Sequence, residues 1–207
     1  MADSPISQTQ QIGDFFTVAE QFPVNLEVLA DDFEVPDRFD FEQEMPELFK
    51  VASNMVGSDQ DLLQKLKMDS QHSPVLVTLL EQMNQRMVMM LGYLLRYEDD
   101  PQQRYDGIEY GGGGLRVLSN RPFEAGQLFR AKLFFKEESL AVYCYLRCDS
   151  CDYDDERQQQ ILTLAFARIL EQDQEHLIRA SLHAQSRQLK RRAQQRQQQS
   201  KPTTDDA

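Results

Sequence analysis

The chain has too few cysteines for a disulfide framework, too few histidines for a ready acid–base or metal centre, and no apolar run long enough for a bilayer. Its three cysteines are an odd number in 207 residues, which fits a reducing compartment better than a secreted scaffold. Crossing a bilayer takes roughly 20 consecutive apolar residues, and no segment approaches that. The start, MADSPISQTQQ, has neither the basic nor the apolar region of a signal peptide. A soluble, cytoplasmic protein without membrane insertion is expected. Net positive charge is missing too: the formal balance is -12, which argues against duplex nucleic acid or an anionic membrane as the main partner.

Catalytic signatures are equally scarce. There is no nucleophile elbow, no HExxH, no P-loop and no kinase-type sequence, and the many carboxylates fall in acidic stretches that read as solvated faces. His72, His176 and His183 share no ligand spacing, and His176 and His183, seven apart, read as solvated or partly packed surface residues of the last helix. Cys144, Cys148 and Cys151 give the spacing C-x3-C-x2-C found in radical-SAM iron–sulfur sites. Ser150, however, stands where an aromatic residue is usual, and Cys144 lies inside an alternating strand, where it acts as a small hydrophobe. A zinc site would lack its fourth ligand. No catalytic residue, metal or cofactor is expected.

What the chain does have is 41% hydrophobic and 27% charged residues, enough for one substantial core. We read residues 1–14 as a flexible leader, 15–195 as a single domain with a helical insertion over 33–100, and 196–207 as a disordered tail. The acidic stretch Asp31–Glu47 contrasts with a basic, glutamine-rich end holding Arg187, Lys190, Arg191, Arg192 and Arg196, which complements a helix C-terminus. Alternation at Val24, Leu26 and Val28 predicts a first strand. Leu115–Ser119, Leu128–Phe135, Ala141–Arg147 and Gln160–Ile169 predict further strands joined by tight turns, with CDSCDYDDERQ as a polar connection. Six or so such strands imply a closed or nearly closed antiparallel barrel. A final helix from about Asp173, apolar at Leu177, Ile178, Leu182 and Leu189, can cover its mouth or edge.

Within the insertion, a short helix from about Glu47 and another begun at Asp59 or Asp61 precede a better-defined one over 74–97. Ser73 caps it, and Pro74 fills the first helical position, where its missing N–H costs nothing. Leu76, Leu80, Met83, Met87, Met90, Leu94 and Tyr97 follow at spacings alternating four and three, a heptad series without a slip. Leu79, Val88, Met89, Leu91 and Leu95 widen the apolar surface beyond that seam. So wide a face suits packing on the body together with a partner, or a bundle of more than two helices.

The run Gly111-Gly112-Gly113-Gly114, with Ile108 and Tyr110 before it and Leu115 and Val117 after it, reads as a turn between strands. In order of elements and in local wording the chain resembles the PilZ domain, the bacterial cyclic di-GMP receptor module. FPVNLEV resembles its first strand, GGLRVLSNRPFEAGQLFRAKLFF its central strands and turn, and LAFARILEQDQEHLIRASLHAQSRQLKR its last strand and helix. The heptad helix after the first strand resembles the insertion of atypical tetrameric members.

The resemblance implies a mainly β fold: a six-stranded antiparallel PilZ-like barrel, a long heptad helix inserted after the first strand, and a C-terminal amphipathic helix. It also implies a non-enzymatic regulatory or adaptor protein that forms homo-oligomers, such as tetramers, and meets an unidentified protein partner. In the family, an R-x-x-x-R pair grips phosphate and guanine, as planar guanidinium groups can; the matching positions here are Thr17 and Gln21. The family's D/N-x-S-x-x-G falls on Glu109, Gly111 and Gly114, which keeps a carboxylate and the last glycine but loses the serine. Two alternatives to a diverged member stay open at this point. One is a true cyclic di-GMP receptor using Arg116 or Arg130; the other is a structural oligomerisation module.

Overall fold

The computed structural model describes residues 11–12, 15–68, 74–136 and 140–199. In chain order the elements are β1 (Gln11–Ile12), β2 (Phe15–Val28), α1 (Arg38–Glu44), α2 (Glu47–Met68), α3 (Pro74–Leu95), β3 (Arg104–Gly111), β4 (Gly114–Ser119), β5 (Leu128–Phe135), β6 (Leu140–Asp154), β7 (Gln159–Arg168) and α4 (Glu171–Gln199).

Successive residues of a strand face opposite ways, so the alternating Val24 and Leu26 of β2 and Phe129, Ala131 and Leu133 of β5 turn one apolar row inward. Six antiparallel strands pair in the order β2-β3-β4-β7-β6-β5, and a ladder from Val24–Val28 of β2 to β5 closes the ring. Its interior holds Val18, Phe22, Tyr110, Leu115, Leu146 and Leu164 among others. Phe22 stacks on Phe135 and meets Tyr110 edge-on, which fills the wide part of the ring with aromatic rather than aliphatic volume.

From Leu140 to Leu146, strand β6 is buried on both faces. Leu140, Val142, Cys144 and Leu146 point into the ring, while Ala141, Tyr143 and Tyr145 point outward into a second core. That outer core is completed by Phe134 of β5, by Phe41, Phe49, Ala52, Leu91 and Leu95 of the three inserted helices, and by Met45 at the C-terminal cap of α1. The Asp37 side chain caps α1 by accepting from Asp40 N at 2.9 Å. Helix α3 begins at Pro74, as the sequence predicts; its expected cap, Ser73, lies outside the described residues.

Several boundaries differ from expectation. One continuous helix, α2, replaces the two short ones, because no residue between Glu47 and Met68 forces a break. The first part of the expected polar connection, from Cys148 to Asp154, is strand, because pairing with β7 through Asp154↔Gln159 satisfies its backbone. Helix α3 ends at Leu95 and gives way to a turn in which Tyr97 N donates to Leu94 O. Gln11 and Ile12, assigned to the leader, pair with Phe16 and Phe15. Residues 196–199, assigned to the tail, are helical in α4, and residues 200–207 lie outside the described residues. On α4 the inward row is Leu177, Ala180 and Ala184, whereas Leu182 and Leu189 are exposed.

Candidate ligand site

The glycine run forms the two-residue link between β3 and β4, with Gly111 paired to Gly114 across it. Crowding demands glycine at 111, 112 and 113, and at Gly114 a φ of +158° adds a backbone requirement to the crowding. A Cβ on Gly113 would stand 2.1 Å from Ile12 O, and one on Gly111 would stand 2.3 Å from Phe16 O. The turn therefore lies directly against the β1–β2 hairpin. From the other side, Gln174 of α4 donates its Nε2–H to Gly112 O at 2.7 Å.

Four of the five motif positions converge beside this turn. Thr17 pairs with Gly111 and Ala19 with Glu109 in the β2–β3 ladder, and Glu109 pairs with Arg116 in the β3–β4 ladder. Bulges at Ala19/Phe22 and Gly107/Glu109 re-aim both strands. As a result the Glu109 carboxylate accepts from the Thr17 hydroxyl on one side and from Arg116 Nη1, at 3.1 Å, on the other. Glu109 is only 8% exposed, so this pairing is what makes its burial tolerable. Gln21, the fifth position, is exposed within the β2 bulge.

A second acid adjoins the first. Glu20 accepts from Tyr110 Oη at 3.1 Å and from Arg187 Nη2 of α4 at 3.0 Å, and Gln188 donates to Ala19 O at 2.6 Å. Sequence reasoning missed Arg187, placing it in a solvated basic end. Only the docking of α4 on β2 brings it to the site, and no local pattern encodes that.

Arg130 is elsewhere. It sits on β5, which shares no ladder with the β4 of Arg116. Its Nη1 donates to Glu27 at 2.9 Å, its guanidinium carbon lies 5.9 Å from the centre of the Tyr145 ring, and its buried Nε has no partner among the described residues. The two arginines thus stand at separate places, each facing its own glutamate. His176, expected at the surface, is buried, and its Nδ1 lies 3.9 Å from Asp173 Oδ1. Burial lowers its pKa. A polar cleft of about 610 Å³ opens between the inserted helices and the start of α4, lined by Arg38, Glu42, Lys50, Asn54 and Glu171; none of the motif residues reaches it.

The heptad series stays outside every core. Leu76, Leu80, Met83, Met87, Met90, Leu94 and Tyr97 are all exposed, from 36% for Leu80 to 76% for Tyr97, whereas Val77, Leu91 and Leu95 on the other side are buried. Leu91 and Leu95 join the outer core, so α3 packs on its own body at its C-terminal end. Farther along, Leu80, Met83 and Met87 line an open groove with Leu62, Leu63 and Leu66 of α2. Among the described residues no helix is long and apolar enough to cross a membrane.

No protein-family model matches the sequence, and no curated protein matches it. Among solved structures it is similar to a tetrameric PilZ domain from Xanthomonas campestris, described as self-assembled via an unusual helical bundle. The identity is 18%, the match covers 86% of this chain and 91% of that one, and the TM-score is 0.55. Shorter matches reach YcgR of Escherichia coli in complex with c-di-GMP (15% identity, 44% of this chain and 39% of that one, TM-score 0.37). They also reach the Bacillus subtilis inhibitor of motility MotI/DgrA (19% identity, 41% and 42%, TM-score 0.38). The chain therefore spans less than half the length of these last two proteins. The six-strand ring, the helices inserted after its first strand, the terminal helix and the near full-length likeness to the Xanthomonas structure agree: the chain has the fold of a PilZ domain with a helical insertion.

Proposed function

We propose that the protein is a non-enzymatic regulatory or adaptor module of cyclic di-GMP-type signalling that has diverged from ordinary ligand binding and works through self-association and protein contacts. The observation that carries this reading is the state of the Thr17–Glu109–Arg116 cluster. Where the family places a pair of arginines there are Thr17 and Gln21, and the carboxylate that would meet a guanine edge already accepts from Thr17 and Arg116. Each lost guanidinium–phosphate contact removes a charge-assisted bond worth roughly 1.5–3 kcal/mol. Two lost contacts span the gap between micromolar and millimolar affinity, about 4 kcal/mol. A diphosphate arriving here also faces Glu20 and Glu109, each matched by one arginine already.

Self-association rests on the exposed heptad face of α3 from Leu76 to Leu94, with Tyr97 exposed in the turn that follows. An apolar stripe of this length left in water is unfavourable, and a bundle of like helices covers it. The Xanthomonas likeness supports a tetramer as the form it takes.

Titration calorimetry with cyclic di-GMP tests the reading: the expected result is no saturable heat in the low-micromolar range. A stoichiometric low-micromolar response that disappears in Arg116→Ala would overturn the divergence and make the protein a receptor by another route.

A further inference from the structure

Two of the three cysteines meet where three residues of β6 are folded into the space of two. In an unbroken strand, side chains three apart point to opposite faces, and their Cα atoms lie about 10 Å apart at 3.3 Å per residue. Here the β6–β7 register shifts between Cys148 and Ser150, with Cys148 opposite Leu164, Ser150 opposite Thr163 and Cys151 opposite Leu162. The extra residue returns Cys148 and Cys151 to the same face. It also shortens their span to that of two residues, about 6.6 Å, inside the range over which cysteines bridge. Their Sγ atoms stand 3.1 Å apart, and neither is oxidised.

The two thiols are unequal. Cys148 is buried against the ring core, and burial pushes its pKa up to about 12, with the Cys151 thiol and the charges of Asp149 and Asp152 adding to the effect. Cys151 is half-buried and is the one a small solute reaches. Cys144, inside the ring on the far side of the bulge, is fully enclosed.

We infer that Cys148 and Cys151 form a dithiol modification site at which a hydroperoxide drives formation of an intrachain disulfide. The Cys151 thiolate attacks the nearer oxygen of the peroxide, the O–O bond breaks, and hydroxide leaves as water after taking a proton. The Cys151 sulfenic acid so formed is attacked by Cys148 Sγ. The S–O bond breaks as the S–S bond forms, and the departing hydroxide takes the Cys148 proton and leaves as a second water. Overall, two thiols and one peroxide give one disulfide and two waters.

A neutral oxidant fits the surroundings better than an anionic disulfide such as oxidised glutathione. Asp149 lies between the two cysteines and Asp152 follows them; among the described residues only Asp149 of the two pairs with a cation, Arg147 at 3.3 Å, and the chain carries a net charge of -12. Closing the bond fixes the bulge beside the β4–β5 connection, because Cys148 N donates to Gln127 O at 2.9 Å and Cys148 O accepts from Gly126 N at 2.7 Å.

The test treats reduced full-length protein, freed of reductant, with an equimolar amount of hydrogen peroxide, then counts thiols in denaturant and maps peptides by mass. The expected result is a fall from three thiols to one, an intrachain link between Cys148 and Cys151, and Cys144 still reduced. Cys151→Ser should leave two thiols unchanged, while Cys144→Ser, which removes no partner, should still lose two. An unchanged count, links only between chains, or a Cys151 sulfenic acid trapped with Cys148 still free would overturn the inference. So would faster closure by oxidised glutathione than by peroxide at equal concentration.

Discussion

The Ser53 hydroxyl of α2 donates to the carboxylate of Asp173 in the first turn of α4, tying the helical insertion to the terminal helix across the outside of the ring. Gln172 donates its Nε2–H to Ser53 Oγ at 2.6 Å, so the serine both gives and receives. Asp173 is 1% exposed. Its position near a helix N-terminus favours a negative charge there, but removal from water dominates and pushes its pKa up to about 7, with the Ser53 hydrogen bond pulling the other way.

A pH dependence follows. An unfolded aspartate titrates near 3.8 and the folded one near 7, so between those values the folded state holds the extra proton. Stability from this group is fully present below about pH 4 and is lost as pH rises toward 7. The buried His176, whose pKa is lowered, acts in the opposite sense by losing stability as pH falls below its unfolded value near 6.5. The quantity to measure is therefore the urea-unfolding free energy of wild type minus that of Asp173→Asn. That difference should fall by on the order of 2–4 kcal/mol between pH 4 and pH 8. A flat difference would show that Asp173 titrates as an ordinary carboxylate.

Restoring the family's serine at Gly111 should harm the fold instead of repairing a ligand site. The new Cβ would press on Phe16 O, a backbone atom held by the β1–β2 hairpin, and relief requires the strands to part. Gly111→Ser should lose about 1–3 kcal/mol of stability in chemical denaturation and gain no cyclic di-GMP heat. Stability within about 0.5 kcal/mol of wild type, the range of ordinary surface changes, would contradict this.

Replacing Met83 and Met87 by aspartate places charge in the middle of the exposed α3 stripe. Light scattering should show the solution mass falling to that of one chain while far-ultraviolet circular dichroism is unchanged, since neither residue belongs to a core. An unchanged mass with an intact spectrum removes this helix face as the cause of assembly.

How much was legible from sequence depended on whether a residue's role was local. Strand β5 is bounded at Leu128 and Phe135 in both sequence and structure because Phe129, Arg130, Ala131, Lys132 and Leu133 alternate between two turns, and α3 begins at Pro74 because proline marks a helix start locally. The outer half of β6 is not legible: Ser150, Asp152 and Asp154 are as polar as any loop, and only pairing with β7 makes them strand. The pairing of Arg187 with Glu20 was invisible for the same reason, since 167 residues separate them and α4 alone joins them. The β2–β3 and β3–β4 ladders bring Thr17, Glu109, Gly111 and Gly114 side by side, and the bulges that turn Glu109 toward Arg116 leave no mark in the sequence.

Strand β6 is a party wall, one sheet segment serving two rooms. Its inward residues line the ring, and Tyr143 and Tyr145 line the chamber filled by Phe41, Phe49 and Leu91. The helical insertion is therefore not a detachable ornament: excising residues 38–95 would leave Ala141, Tyr143 and Tyr145 of β6 and Phe134 of the neighbouring β5 facing water on the outside of the ring. A deletion meant to yield a minimal ring would need polar residues at those four outward positions before it could stay in solution.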